Sequence, residues 1–250
     1  MKMEGNALLI GSVIGIPIRL HISLLLVVGY FAIKSGVGFF IILLLSLGIF
    51  GSVALHELGH SIVARLFGSY IHDIMLYPFG GVTRISNMPK RPESEMLVAL
   101  AGPAVSLFLA LLFGLLGFHL LASLNLMLFG FNLLPAFPMD GGRVFRAILA
   151  KKKGRLEATR IAANWGKYIC IIFVLYGIFS PRNGIFSPRN IALTFIGIFL
   201  YFAGRAEYRM IQKEYKADPF GTTGDLPGIE VSPPPYKKSF EKKWKDLFHF

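Results

Sequence analysis

Long uncharged apolar stretches separated by short basic segments run along most of this chain. The first covers 20–31, between Arg19 and Lys34, and is short for a full membrane crossing. The second covers 39–55 and closes a run, 35–55, that holds no charge across 21 positions. Residues 96–139 carry no formal charge apart from His119, which leaves room for two spans turning near Gly117, Phe118 and His119. Two more apolar runs follow at 168–179 and 191–203. This pattern predicts a mainly α, polytopic membrane protein of about six transmembrane helices.

Two segments carry a different period. Near the N-terminus, the β-branched residues Ile10, Val13, Ile14, Ile16 and Ile18, interrupted by Gly11, Gly15 and Pro17, predict strands. A leader peptide is not expected there, because no small-residue cleavage site precedes the next apolar span. In the loop 67–95, residues 71–77 and 82–86 read as short strands around Pro78-Phe79-Gly80-Gly81. That hairpin is either a plain connection or an exposed strand edge able to pair with an extended peptide.

Composition supports the membrane reading, since charged residues make up 16% of the chain and hydrophobic residues 54%, whereas soluble domains carry about 25% charge. The single cysteine, Cys170, excludes an intramolecular disulfide framework and a cysteine-based zinc site. A net charge of +12 raises nucleic acid as a partner, but the basic residues sit in segments flanking apolar spans, so the expected partner is the lipid bilayer and not nucleic acid. With the N-terminus inside, only Lys34, Arg182 and Arg189 of the 26 basic residues lie outside. The expected location is therefore the cell membrane, multi-pass, with both termini and the chemistry described next on the cytoplasmic side.

The second apolar run leads into His56-Glu57-Leu58-Gly59-His60. On a helix, residues i and i+4 share a face, so both imidazoles can hold one metal ion while the offset glutamate acts on a water without ligating. Chance produces His-Glu-x-x-His in a chain of this composition about 0.005 times. Two histidines leave a catalytic zinc short of one protein ligand. Asp140, like Glu57, adjoins an uncharged run of membrane length, and the second and fourth spans descend to the same side. Pro135 and Pro138 break the helix before Asp140, and Gly141-Gly142 follow it; broken backbone at membrane depth is tolerated where it lines an enclosed or wet cavity. Asp140 could instead cap a helix starting at Arg143. Asn132, eight residues earlier, either bonds a neighbouring helix or steadies a substrate carbonyl and its oxyanion.

Together these residues resemble the site-2 protease family of intramembrane zinc metalloproteases. His56-Glu57-Leu58-Gly59-His60 matches that family's first motif, and Asn132-x-x-Pro135-x-x-x-x-Asp140-Gly141 its second. The Ala101-Gly102-Pro103 run and Gly15-Ile16-Pro17-Ile18-Arg19-Leu20-His21 are similar to further family elements, so the resemblance covers about residues 8–205. It implies one zinc ion per chain held by His56, His60 and Asp140, Glu57 as general base, and cleavage of transmembrane protein substrates in regulated intramembrane proteolysis. It also directs the reading of Asn132 towards the oxyanion. Gly80 and Gly81 are the positions expected beside an extended substrate. The loop 67–95 is too short for the PDZ domain some members insert, and the residues after Arg205 too few for appended CBS domains, so the expected form lacks both. Many relatives carry asparagine a few residues after the Ala-Gly-Pro run, where this chain has Ser106.

The expected organisation is a membrane metalloprotease domain, 1–205, and a cytoplasmic tail, 206–250. Within the tail, 237–250 places Phe240, Trp244, Leu247 and Phe248 on one helical face among lysines, as in an interfacial helix on an anionic leaflet; a solubilising tail or a helix packed on the core are the alternatives. The segment GIFSPRN occurs twice in succession, at 177–183 and 184–190, and two copies cannot build a solenoid. His21, His72, His119 and His249 read as packing or interface residues. Other function classes remain: a membrane metal carrier using the same ligands, and a non-catalytic protein that binds membrane helices. A regulatory membrane partner or a second copy of the chain is left open.

Overall fold

Apolar periodicity and turn chemistry lay out twelve elements among the described residues. A computed structural model describes residues 3–4, 6–36, 38–179 and 188–217. One compact unit spans Met1–Gln212; the described part of a second, beginning at Lys213, is helical to Ala217. The GIFSPRN repeat falls largely, and the proposed interfacial helix entirely, outside the described residues.

The chain opens with strands β1 (Met3–Glu4), β2 (Ala7–Val13) and β3 (Ile16–His21). Val13 pairs with Ile16 across the two-residue turn Ile14-Gly15, whose φ values of 52° and 73° match the twist of a hairpin. Helix α1 (Ile22–Lys34) follows directly, its first turn capped by the His21 ring, which accepts from the Ser23 amide at 3.2 Å. The long helix α2 (Phe39–Leu66) comes next, then β4 (Tyr70–Tyr77) and β5 (Gly80–Ser86). The two β segments, which read as separate hairpins in the sequence, form one five-stranded sheet in the order β1-β2-β3-β4-β5. The join is the parallel pair β3–β4, with Ile18 opposite Ile74 and Leu20 opposite Leu76. Parallel strands need a long crossover, here α1 and α2, so no local pattern announces the pairing. The sheet packs on α2 through Ile16, Ile71, Ile74 and Leu76 against Ala54, Leu58 and Ala64, with Leu24 and Val98 completing the cluster.

Helices α3 (Pro92–Leu115) and α4 (His119–Asn132) turn at Gly117, where φ is +79°. Three helices follow: α5 (Asp140–Lys153), α6 (Arg155–Phe179) and α7 (Pro188–Ala217). Among the described residues α2, α3 and α6 are long and apolar enough to cross a membrane, and α1 and α4 are shorter apolar helices. At 28 residues α2 rises about 42 Å, more than a hydrocarbon core of about 30 Å, so the apolar run and the His-Glu-x-x-His motif share one uninterrupted helix. The fourth apolar run does not continue to residue 139: α4 stops at Asn132, and 133–139 is irregular because Pro135 and Pro138 cannot donate to a helix. Asp140 is accordingly the first residue of α5 and not the end of α4.

Candidate metal centre

His56 and His60 stand one turn apart on α2, and both are buried. Asp140, also buried, enters from the start of α5, where the helix dipole favours a carboxylate. The irregular segment 133–139 brings it there, and two glycines make the approach feasible. A Cβ on Gly141 would lie 2.2 Å from the Leu133 carbonyl oxygen, and one on Gly142 would lie 2.7 Å from the Ala136 carbonyl carbon. The result is a triangle of ligand atoms. His56 Nε2 lies 3.2 Å from Asp140 Oδ2, His60 Nε2 lies 3.1 Å from the same oxygen, and the two Nε2 atoms are 3.2 Å apart.

These donors fit a divalent cation. A tetrahedral zinc with bonds of about 2.0–2.1 Å sets its ligand atoms about 3.3 Å apart, close to the observed edges. His60 Nδ1 faces the Val98 carbonyl at 2.7 Å; a carbonyl only accepts, so Nδ1 carries the proton and Nε2 presents its lone pair to the triangle. His56 Nδ1 is held by Ser106 Oγ at 2.8 Å. Both imidazoles thus have their outer nitrogens fixed by α3, as metal-ligating histidines require. The same helix clears the space: a Cβ on Gly102 would sit 2.2 Å from His60 Nε2 and 2.7 Å from His56 Nε2. The backbone of α3 therefore lies against the face of the triangle, and any side chain at 102 would fill it. His56, His60 and Asp140 are the group of His, Cys, Asp and Glu among the described residues able to hold a metal ion.

Glu57 is half-buried beside its neighbours, and Thr83 Oγ1 donates to its Oε2 at 2.7 Å. Strand β5 lies directly over it: a Cβ on Gly81 would meet Glu57 Cγ at 2.6 Å and Val53 Cγ1 at 3.1 Å. Gly80, with φ +140°, sits at the turn where β5 begins. β5 is the last strand of the sheet, and among the described residues its other edge pairs with no strand. Asn132 Nδ2 donates one of its two N–H groups to the Leu128 carbonyl of its own helix at 3.0 Å.

Thr83, Gly102, Ser106 and Val98 were not singled out as site residues by their sequence patterns. Thr83 and Ser106 are short hydroxyl residues of a kind common in strands and helices, and Val98 contributes only a carbonyl. Gly102 left the clearest trace, a Gly-Pro step inside a long apolar helix, which costs helix stability and signals close packing.

The protein thus combines helices long and apolar enough to cross a membrane with a buried His-His-Asp group beside a glutamate. The chain belongs to Peptidase family M50, whose profile matches residues 44–120 and 115–176. It is 42% identical over 185 residues to zinc metalloprotease MJ0392 of Methanocaldococcus jannaschii, covering 68% of this chain and 53% of that protein. It is 29% identical over 137 residues to stage IV sporulation protein FB of Bacillus subtilis, covering 51% of this chain and 48% of that protein. The chain thus spans about half the length of these relatives. Among solved structures, it is similar to the site-2 protease from Methanocaldococcus jannaschii, with a TM-score of 0.60, 40% identity, and coverage of 81% of this chain and 95% of that one.

Proposed function

We propose that this chain is a zinc-dependent intramembrane endopeptidase that hydrolyses peptide bonds of transmembrane protein substrates, with His56, His60 and Asp140 as the metal ligands and Glu57 as the general base. The convergence of three ligand atoms within 3.2 Å of one another carries this reading, with Glu57 one residue from a ligand on the same helix. Zinc bound there supplies Lewis acidity, lowering the pKa of water towards about 7 and polarising the scissile carbonyl. The Glu57 carboxylate takes a proton from the water that adds to the carbonyl carbon, and returns it to the amine nitrogen as the C–N bond breaks. Thr83 holds the carboxylate so that one oxygen stays oriented.

A helical substrate hides its carbonyls in internal hydrogen bonds, so the cleaved segment must be extended first. The open edge of β5 offers ladder partners to such a segment, and Gly80 and Gly81 keep it free of side chains where it passes Glu57. Asn132 Nδ2 spends one of its two N–H groups on the Leu128 carbonyl, and the second is the donor that would serve a developing oxyanion. The six-span arrangement takes α1, α2, α3, α4, α6 and α7 as its spans, with α5 on the inner side carrying Lys151, Lys152 and Lys153. Charge placement supports cytoplasmic termini and a cytoplasm-facing site.

The test is Glu57→Gln in the purified full chain, assayed with a transmembrane substrate and by metal analysis. One zinc per chain with cleavage reduced by at least about 10³-fold is expected. A Glu57→Gln chain that cleaves at the wild-type rate would refute the base assignment, and a wild type without metal would refute the centre.

A further inference from the structure

Six residues beyond Asp140 on α5, Arg146 is as buried as the metal ligands, at 2% exposure. Its guanidinium touches three separate parts of the molecule. Nε donates to Glu95 Oε1 on α3 at 2.9 Å, and Nη2 donates to the same oxygen. Nη1 donates to Glu207 Oε1 on α7 at 2.8 Å. Its carbon lies 5.0 Å from the ring centroid of Phe137, which is itself buried and stands three residues before Asp140.

Resting on the metal-centre reading above, we infer that Arg146 is a positioning residue that sets the distance between Asp140 and the two histidines. The geometry follows from which helix carries what. Helix α3 orients both imidazoles, through the Val98 carbonyl and the Ser106 hydroxyl. Glu95 is one turn before Val98 on that same helix. Helix α5 carries Asp140 and Arg146 about 9 Å apart along its axis. The Glu95–Arg146 pair therefore locks the axial position of the helix bearing the third ligand against the helix that orients the first two. Phe137, held under the guanidinium, fixes the irregular segment that delivers Asp140.

Stability alone explains this pair poorly. Removing two charges from water is costly, and a well-packed apolar pair serves a core equally well or better. What a guanidinium with directed donors adds is register, and a metal ligand displaced by 1 Å no longer binds. A second link between the same helices, Lys151 to Glu93 at 3.2 Å, is exposed and imposes little geometry.

The experiment uses the full chain in detergent. Zinc affinity is measured by chelator competition, site geometry by the visible spectrum of the cobalt-loaded protein, and folding by helical circular dichroism. The Glu95→Leu/Arg146→Met double variant, which leaves no orphaned charge on that pair, is expected to keep its helicity, bind zinc about 10–100-fold more weakly and show altered cobalt bands. Arg146→Lys, which keeps the charge without the fork, is expected to fall between, and Lys151→Ala to match wild type. A folded double variant with wild-type affinity and spectrum overturns the inference. If that variant does not fold, Arg146→Lys and Glu207→Gln decide by the same readouts, and wild-type values in both overturn it. Failure of the wild type to bind zinc or cobalt would instead overturn the site reading, and this inference with it.

Discussion

The Thr83 hydroxyl on β5 donates a 2.7 Å hydrogen bond to Glu57 Oε2 on α2, so the open edge strand and the helix bearing the metal-binding motif meet at the glutamate. This contact joins the two halves of the proposed chemistry, since the strand offered to substrate also aims the base. Thr83→Val removes the donor at nearly constant volume. Cleavage is expected to fall about tenfold with zinc content unchanged, as measured by kcat on a transmembrane substrate beside metal analysis. Wild-type turnover in that variant would show that the bond has no part in aiming the base.

Gly102 has no room for a methyl group. A Cβ there would lie 2.2 Å from His60 Nε2 and 2.5 Å from its Cε1, on the helix face that backs the ligand triangle. Gly102→Ala is expected to lose zinc binding by more than about 100-fold while retaining its helical circular dichroism. Tight zinc in that variant would mean that α3 can withdraw from the site at little cost.

Ser106 orients the first histidine through Nδ1 at 2.8 Å, deep in the helix interface. Ser106→Ala leaves that nitrogen to find another partner and frees the ring to rotate. A loss of about 10–100-fold in zinc affinity is expected by chelator competition. Unchanged affinity would assign the serine to packing.

Asp73 ties three strands from a buried position on β4. Arg84 on β5 donates through Nε to Oδ1 at 2.6 Å and through Nη2 to Oδ2, while Arg19 on β3 lies 3.1 Å from Oδ2. The Arg84 hydrogen bonds hold its carboxyl below the usual carboxylate range against the opposing effect of burial, with the charges of Arg84, Arg19 and His72 adding to them. A carboxyl with a depressed folded-state pKa stabilises fully above its unfolded value of about 3.9, and that contribution is lost as pH falls through the lower folded value. Thermal unfolding of the wild type is therefore expected to weaken below about pH 4 more steeply than that of Asp73→Asn. Parallel acid profiles would show that this carboxylate is not a stabilising charge of the sheet.

Much of the candidate site is legible in the sequence. His-Glu-x-x-His is a local signal, because helix geometry alone puts residues i and i+4 on one face. Asp140 stands out because charge is scarce near the apolar runs, and the structure places it against both histidines. The strands at both ends of the first two helices were also legible from β-branched residues and turn pairs. Helix ends were less so. The apolar runs undercount α6 and α7, which extend through Arg155, Lys167 and Arg205, because a helix continues past the point where its side chains cease to be apolar.

The sequence by itself determined that His56 and His60 share a helix face, which runs suit a membrane, and that Pro135 and Pro138 end a helix, because each depends on neighbours a few positions apart. Tertiary structure alone decided that two distant β segments share one sheet, that β5 lies over Glu57, and that α3 backs and orients both imidazoles. It also decided that Arg146 binds α3 and α7 together beside the third ligand. These are contacts between residues 24 to 84 positions apart, such as Glu57 with Gly81 and His56 with Asp140. Their partners are chosen by the packing of whole helices and strands, and no local pattern encodes that choice.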